Sequence, residues 1–320
     1  MKKIFFLAAA AIALMTSCTK TELVTTDNDR TPISFENFVH KTTKAAEANA
    51  GTLESNGFVV SAYYTPTSGT AAYYFENIPV TYATDHYPTT YYWPIEGKMD
   101  FYAVYPTSTI TNKTIANYTT EGAEDLLGAV KTGEDCATHN TTKTTVPLQF
   151  NHLLTQIYFE IKGEDTVNSY KVEKIILEAK DDATYTYSSG AWSTPVTKKT
   201  YTYYAPTSAV AFTGANYTVF GTKVDNSLML IPQQDVIVKV YYTVETPAGA
   251  VLSKFNEDTT DNNHQYKSFT ASSSTVTTDV DWTKGTTVKY QLTLPIGVNP
   301  IEFTATVTDW ATGTAQAVTL

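Results

Sequence analysis

Cysteine and arginine are scarce in this sequence, and long apolar runs are missing. The 320 residues include two cysteines, Cys18 and Cys136, and one arginine, Arg30. Two cysteines so far apart do not have zinc-finger spacing, and no phosphate-binding Gly-rich loop or dinucleotide fingerprint is present. A net charge of −10 with so little arginine argues against nucleic acid as a partner, because phosphates are bound by clustered Lys and Arg.

The N-terminus has the plan of a secretory signal peptide. Two lysines, Lys2 and Lys3, precede an apolar run from Ile4 to Met15, as in a signal peptide that is later removed. This run is shorter than the roughly 20 residues that a membrane-spanning helix needs. We therefore expect residues 1–17 to be a signal peptide.

The end of this segment fits a lipobox, in which a large apolar residue and two small residues precede cysteine. Here the pattern is Met15-Thr16-Ser17-Cys18. The thiol takes a diacylglyceryl group, cleavage follows, and the new amine of Cys18 receives a fatty acid such as palmitate. Several acyl chains anchor a protein stably where one is marginal. We expect lipidation of Cys18 and attachment to outer-membrane lipid; the alternative is an ordinary signal peptide with a chance cysteine.

The mature chain is acidic and long enough for two domains. Removal of residues 1–17 leaves 303 residues and takes away two of the 22 basic side chains. The mature chain therefore has 20 basic and 32 acidic residues. Chains of this size can bury a sufficient core without disulfides. With Cys18 acylated, Cys136 has no partner, and we expect a buried, unreactive thiol whose pKa is raised by Glu134 and Asp135.

Composition and alternation both predict an all-β fold. Tyr occurs 23 times and charged residues make up 17% of the chain, and Thr, Tyr and Val suit pleated, half-buried surfaces. The best candidate for a helix is residues 124–128, an exposed loop or a weak helical turn is expected at 41–56, and a loop is expected at 131–145. Strands are predicted at residues 33–39, 58–64, 72–75, 79–83, 99–105, 146–161 (as a pair of strands or one bent strand), 172–179, 201–204, 217–220, 227–231, 236–243, 289–294 and 301–308.

The strand spacing is typical of β-sandwiches. A polar tether is expected at residues 18–32, a first β-sandwich domain at 33–147 and a second at 148–320. The boundary is placed in the polar, Thr-rich stretch near residues 140–148.

No catalytic or metal-binding pattern stands out, and we do not expect an enzyme or a cofactor. The five histidines do not have the spacing of a helical metal site: they are His40, His86, His139, His152 and His264. His152 is either a general base or, in the interpretation that we favour, a partly buried structural histidine bonded to backbone. The acidic clusters at 181–182, 257–258 and 261–263 lack the pattern of an EF-hand loop and are read as solvated loops. Glycosidase carboxylates leave little trace in sequence, so a hydrolase stays an open third alternative.

Consecutive aromatic residues recur along the chain, at 63–64, 73–74, 91–93 and 203–204. They suggest a sugar-binding platform or, more simply, core packing. Neighbouring side chains on a strand point to opposite faces. We therefore expect one ring of each pair in the core and the other on the surface.

Several segments together resemble the fimbrillin family, in its Mfa-like branch of Bacteroidetes surface lipoproteins and type V pilus subunits. The similar segments follow one another from about residue 33 to 310. They read YYWPIEGKMDFYAVYP at 91–106, LQFNH at 148–152 with IYFEI at 157–161, LMLIPQ at 228–233, WTKG at 282–285 before YQLTL at 290–294, and IEFTATVTDW at 301–310.

The resemblance implies two tandem transthyretin-like β-sandwich domains and assembly of a fimbria by strand exchange. A trypsin-like protease removes the first strand of a lipidated precursor, and a terminal strand of another fimbrillin subunit fills the vacated groove. Here the removable strand is residues 33–39. The donor is expected within residues 301–310 and 314–320, with Ile301, Phe303, Ala305 and Val307 on one face.

One departure from the family pattern concerns processing. Family pilins often carry Thr-Arg-Ala after the first strand, whereas this chain has Thr43-Lys44-Ala45. Lys44 is therefore the expected cleavage site. The only arginine, Arg30, precedes the strand, and cleavage there would leave it in place. Without processing, the chain is an anchor or a non-polymerising lipoprotein that binds a glycan or a surface receptor of host or bacterium.

Overall fold

The computed structural model describes residues 30–39, 48–106, 108–220, 227–255, 267–270, 282–297, 299–310 and 315–318. Residues 267–270 and 315–318 are described by their backbone alone. Thr31–Leu320 form one unit by their contacts. Within the described part of the chain, no helix is long and apolar enough to cross a membrane.

The fold is all-β, as the sequence predicts, and the described residues include two short helices. The helices are α1 (Ala50–Asn56) and α2 (Cys136–Thr142). The strands are β1 (Pro32–Val39), β2 (Phe58–Thr65), β3 (Ala72–Val80), β4 (Tyr87–Tyr92), β5 (Lys98–Tyr105), β6 (Ile110–Thr111), β7 (Thr114–Tyr118), β8 (Leu127–Asp135), β9 (Val146–His152), β10 (Thr155–Gly163), β11 (Ser169–Asp181), β12 (Ala183–Thr186), β13 (Ala191–Trp192), β14 (Thr197–Tyr204), β15 (Ala211–Phe212), β16 (Thr218–Phe220), β17 (Leu228–Leu230), β18 (Ile237–Glu245), β19 (Val251–Phe255), β20 (Lys267–Thr270), β21 (Thr286–Leu294), β22 (Glu302–Asp309) and β23 (Ala315–Val318).

The first half of the chain builds a seven-stranded sheet in the order β3-β2-β5-β8-β9-β1-β4. Only two residue pairs, Leu127 with His152 and Gly128 with Asn151, join β8 to β9. One cluster of buried side chains draws on strands from both sides of this narrow join. The two parts of the sheet therefore enclose a common core, which we call the first core.

The second half builds two six-stranded sheets. One has the order β16-β10-β21-β22-β23 with β17 also on β10, and the other has β14-β11-β18-β19 with β15 and β20 attached. Alternate residues of β10, β21, β11 and β18 fill a second core between the sheets, including Phe159, Tyr290, Leu177 and Val240. β18 is a central strand, and it is buried along most of its length.

A third apolar cluster, the junction core, joins the two halves. It combines residues of β2 and β5, such as Val59 and Val104, with Tyr187, Met229 and Trp310 from the second half. A four-stranded sheet in the order β13-β12-β7-β6 also connects the halves, since β7 of the first pairs with β12 of the second.

Several local predictions are wrong. Residues 124–128 are not helical, and residues 131–145, expected as a loop, contain the end of β8 and all of α2. The expected separate strands at 72–75 and 79–83 are one strand, β3, with an irregular register near Asn77. The boundary placed between residues 147 and 148 falls inside β9, which pairs with the first sheet. The two-domain division stays a prediction, and a boundary between His152 and Thr155 would respect the sheets.

Candidate functional site: the first strand and its groove

Strand β1 lies inside the first sheet, paired along both edges. It runs parallel to β9, from Phe35 opposite Val146 to Val39 opposite Phe150. On the other edge it runs antiparallel to β4, with Phe35 opposite Tyr87. The order of the sheet makes β1 the only described strand that pairs with β4. Removal of β1 would thus open two backbone edges at once.

The inward row of β1 is deeply buried. Ile33 and Phe35 are 0% exposed, and Val39 packs at the edge of the first core. The Phe35 ring contacts Phe101 edge-on with centroids 5.2 Å apart, and Phe58 at 6.3 Å. Burial of the Ile33 and Phe35 side chains alone is worth about 3–6 kcal/mol. The groove beneath β1 is therefore apolar and shaped by rings.

Side-chain hydrogen bonds hold β1 from both neighbouring strands. The Thr89 hydroxyl on β4 donates to the Ile33 carbonyl at 2.8 Å, and the Gln149 amide on β9 donates to the Phe38 carbonyl at 2.9 Å. The Asn37 amide donates to the Tyr87 hydroxyl. Burial raises the pKa of Tyr87 to about 12, although the bond from Asn37 acts to lower it.

Helix α2 supports the start of β1, which the sequence analysis missed. The Asn140 amide donates to the Pro94 carbonyl at 2.7 Å, and the Thr31 hydroxyl donates to the Asn140 carbonyl at 3.3 Å. His139 Nε2 lies 2.7 Å from Glu134 Oε2, and its ring stacks on Trp93 with centroids 4.0 Å apart. No sequence pattern marks this arrangement, because its members are far apart along the chain.

The predicted donor segment is present as a C-terminal hairpin. β22 lies between β21 and β23, and β23 forms the edge of the sheet. The predicted face is correct: Ile301 and Ala305 are 5% and 1% exposed, and Phe303 and Val307 pack against the second core.

The structure tells little about the residues predicted to be lipidated or cleaved. Cys18 and Lys44 lie outside the described residues, and Arg30 is exposed. Arg30 lies two residues before the start of β1. These three assignments stay predictions.

His152 lies in a closed environment. It is 5% exposed, its Nδ1 lies 2.7 Å from Asp125 Oδ2, and its ring stacks on Trp310 with centroids 4.1 Å apart. Asp125 Oδ2 also accepts a bond from the Ala48 amide at 3.1 Å. This burial leaves no opening for a substrate and favours the structural interpretation. The partner is a carboxylate, however, and not the backbone that the sequence interpretation assumed.

The acidic cluster at residues 181–182 is described by the structure, and its Asp181 side chain makes contacts within the fold. Asp181 Oδ1 accepts from the Thr120 amide at 2.9 Å, and its other oxygen lies 3.3 Å from Lys199 Nζ. Residues 257–258 and 261–263 lie outside the described residues. No group of three or more potential metal ligands occurs in the described part of the chain.

The aromatic pair of β2 departs from the predicted arrangement. Tyr63 is 8% exposed and belongs to the junction core, while the next residue, Tyr64, packs on the first core. The Tyr63 ring packs against Tyr73 and Tyr102, with centroids 4.2 and 5.6 Å apart, on the face of β2 opposite the first core. The pair at 203–204 is similar, with both rings in or against the second core. Neither pair forms a surface platform.

Cys136 matches its prediction. It is 0% exposed at the start of α2, and burial, with a contribution from Asp135, raises the pKa of its thiol to about 12. The thiolate, which is the reactive form, is therefore scarce at neutral pH.

Comparison with known proteins now identifies the family. A family model described as fimbrillin-like matches residues 43–310, and the chain belongs to this family. The chain is 26% identical to the fimbrium subunit Fim1C of Phocaeicola vulgatus, over 58% of this chain and 60% of that protein. It thus spans less than two thirds of the length of this relative.

The fold agrees with this membership. A crystal structure of a fimbrial protein from Bacteroides vulgatus is similar with a TM-score of 0.60 and 18% identity, covering 88% of this chain and 99% of the other. The protein is accordingly an all-β member of the fimbrillin-like family.

Proposed function

We propose that this protein is a structural subunit of a cell-surface fimbria that supports adhesion. It is exported as a lipoprotein precursor through Cys18 and assembled with other fimbrillin subunits by protease-triggered strand exchange. The observation that carries the proposal is the position of β1, which is paired on both edges and buries Ile33 and Phe35 completely.

The physics of exchange follows from that position. Loss of β1 exposes the backbone edges of β9 and β4 together with an apolar groove lined by Phe58 and Phe101. An incoming strand satisfies both, because backbone hydrogen bonds supply affinity and alternate side-chain pockets supply specificity. The vacated subunit is therefore a receptor for an extended segment.

Cleavage after Lys44 would separate β1 from the rest of the fold. Val39 ends β1 and Ala48 is the next described residue, so the cut falls in the short connection between them. Cleavage after Arg30 would instead precede Pro32 and retain the strand. Lys44, which stands where family pilins often carry arginine, is therefore the proposed processing site, and Arg30 does not serve the mechanism.

Digestion of the soluble mature chain, residues 19–320, with a Lys-specific protease tests the proposal. The matched control carries Lys41→Gln and Lys44→Gln, because a cut at Lys41 would also free β1. The expected result is loss of residues 19–44 and head-to-tail polymers from the wild type, and monomers from the control, as measured by mass spectrometry and light scattering.

A cut chain that loses β1 and stays monomeric would contradict the proposal. It would favour the alternative of a non-polymerising outer-membrane lipoprotein that binds a glycan or host protein, for which the lysine at position 44 is the motivating observation.

A further inference from the structure

The sheet that contains β10, β21 and β22 has a polar outward face with an exposed aromatic ring beside it. Phe159, Tyr290 and Ala305 of these strands point into the second core, so the residues between them point away from it. Most of those outward residues are threonine, lysine, glutamate or glutamine. The ring is that of Tyr217, which directly precedes β16 and is 37% exposed. We call the outward residues of the three strands, together with Tyr217, the outer face.

Strand pairing arranges the outer face in rows that run across the strands. Thr293 of β21 is paired with Lys162 of β10 on one side and with Glu302 of β22 on the other. The next outward residue of β21, Gln291, is likewise flanked by outward residues of β10 and β22. Neighbouring strands lie about 4.8 Å apart, so hydrogen-bonding side chains follow one another across the face at that spacing.

The outer face contains a depression of about 510 Å³, and the residues that line it include Tyr217, Lys162, Gln291, Thr293 and Glu302. This volume falls within the range of roughly 300–1,000 Å³ that is typical of ligand sites. The Lys162 ammonium lies 4.7 Å from the centre of the Tyr217 ring. A cation–π contact of this kind orients the ring, and the exposed part of the ring is left for a ligand.

Several polar side chains of the depression have unused hydrogen-bonding capacity. In the described part of the chain, the side chains of Thr293, Thr304 and Glu302 have no hydrogen-bond partner. The Gln291 amide donates to Glu160 Oε2 at 2.8 Å. Each threonine hydroxyl can donate and accept, whereas the carboxylate only accepts. A ligand with many hydroxyl groups can therefore bond to several of these residues at once.

The charges of the outer face balance one another. Lys289 Nζ lies 3.6 Å from Glu160 Oε2, and Lys162 and Glu302 contribute one charge of each sign. Two lysines and two glutamates leave this face without a net charge, although the whole chain has a net charge of −10. Charge complementarity therefore favours an uncharged ligand over a polyanion or a basic peptide.

The outer face has little exposed apolar surface, which argues against a protein partner. Tyr217 and Val219 are 37% and 39% exposed, and no other large hydrophobic residue of the described parts of β10, β16, β21 and β22 is exposed. Protein interfaces bury an apolar centre. A single ring beside rows of hydroxyl, amide and carboxylate groups instead fits a sugar, because a pyranose has an apolar face of C–H groups and a rim of hydroxyls.

We propose that the outer face binds a neutral oligosaccharide. One sugar ring packs its C–H face on Tyr217 beside Lys162, and hydroxyls of the sugar chain bond to Thr293, Gln291 and Glu302 along the rows. This inference goes beyond strand exchange, because the outer face is complete in a single uncut chain. A subunit that donated β22 would lose Glu302 from the face, so the uncut monomer is the form in which binding is tested.

A glycan array probed with the uncut soluble chain, residues 19–320, tests the proposal. The array carries neutral oligosaccharides such as cellotetraose, mannotetraose and lacto-N-tetraose, together with sulfated and sialylated glycans. Tyr217→Ala is the main variant. Tyr82→Ala is the matched control, because Tyr82 is also 37% exposed and lies outside the outer face. Titration calorimetry then measures the affinity of each protein for the glycans that bind.

The expected result is binding of at least one neutral oligosaccharide. Tyr217→Ala should weaken this binding roughly 10- to 100-fold, and Tyr82→Ala should change it less than about threefold. Glu302→Ala should weaken it roughly three- to tenfold, and Glu302→Gln by less, because the amide retains an acceptor. The affinity should be the same at low and high salt, because the ligand carries no charge.

Three results would overturn the proposal. They are an array on which no neutral oligosaccharide binds, equal affinities of Tyr217→Ala and Tyr82→Ala, and a preference for sulfated or sialylated glycans that is lost at high salt. Thermal unfolding of each variant shows whether its fold is intact, and Glu302→Ala tests the site independently of the ring. None of these results bears on strand exchange, because the uncut chain retains β1.

Discussion

At the scale of single residues, Tyr87 makes the free energy of unfolding depend on pH. Its pKa is raised to about 12 from an ordinary value of 10.0, with burial as the largest cause. The unfolded chain therefore releases this proton first as the pH rises. The stabilising effect of the neutral phenol is complete below pH 10 and is lost between about pH 10 and 12.

We expect the free energy of unfolding to fall over that interval by about 2 kcal/mol more in the wild type than in Tyr87→Phe. Urea unfolding at pH 8, 10, 11 and 12 measures the difference between the two proteins. Equal slopes against pH in both would show that Tyr87 titrates in the folded state as it does in the unfolded one.

Gly57 is required both by its conformation and by its surroundings. Its φ is +73°, and a Cβ there would lie 2.2 Å from the Val80 carbonyl oxygen. Gly57→Ala is therefore expected to cost more than the roughly 1–2 kcal/mol of left-handed strain alone. Gly249→Ala is the control, because φ is +82° and its Cβ would meet nothing within 4 Å. Thermal unfolding should separate the two variants, and equal losses would refute the steric argument.

Sequence reasoning succeeded for residues whose setting is local. The burial of Cys136 and the inward face of residues 301–307 followed from apolarity and alternation. It failed for the pair Tyr63 and Tyr64, of which one ring was expected to face solvent. Tyr63 instead packs against Tyr73 and Tyr102 in the junction core, which also includes residues beyond position 180. The Asp125 partner of His152 was likewise invisible, since the two residues are 27 positions apart.

At the scale of secondary-structure elements, β1 illustrates how alternation fixes a face. Phe35 is 0% exposed and Phe38, on the opposite face, is 47% exposed. Phe35→Ala is expected to lower the free energy of unfolding by about 3–5 kcal/mol. Phe38→Ala should cost less than about 1 kcal/mol, and denaturant titration compares them. Similar losses in both variants would mean that β1 does not fill the groove as described.

The errors among the elements have local physical causes. Residues 124–128 were predicted as a helix, yet Leu126 and Leu127 are both buried and Leu127 begins β8. Helix α2 was missed because its sequence is Thr-rich. It is begun by Asp135, whose side chain accepts from the Thr138 amide, and ended by Lys143 at a φ of 54°. Capping thus outweighed intrinsic propensity in a seven-residue helix.

At the scale of the whole molecule, the junction core should make unfolding cooperative. Met229 is 0% exposed within it, and the Met229 amide donates to the Gly122 carbonyl at 2.8 Å. The Tyr187 hydroxyl likewise donates to the Ala103 carbonyl at 2.7 Å across the junction. These contacts tie the second half of the chain to the first.

Met229→Ala is expected to cost about 2–5 kcal/mol and to shift one transition of the whole chain, as measured by scanning calorimetry. Two transitions, of which only one moves, would show that the halves unfold separately. Sequence reasoning predicted two sandwiches, which stays a prediction, and it did not predict this core, because its residues come from segments scattered between positions 59 and 310.

The measurement that tests the central proposal most directly is the intact mass and N-terminal sequence of the subunit in fimbriae sheared from cells. The account predicts chains that begin at Ala45, since polymer growth requires the loss of β1. Polymerised subunits that still begin at acylated Cys18 and retain residues 32–39 would contradict strand exchange at this groove.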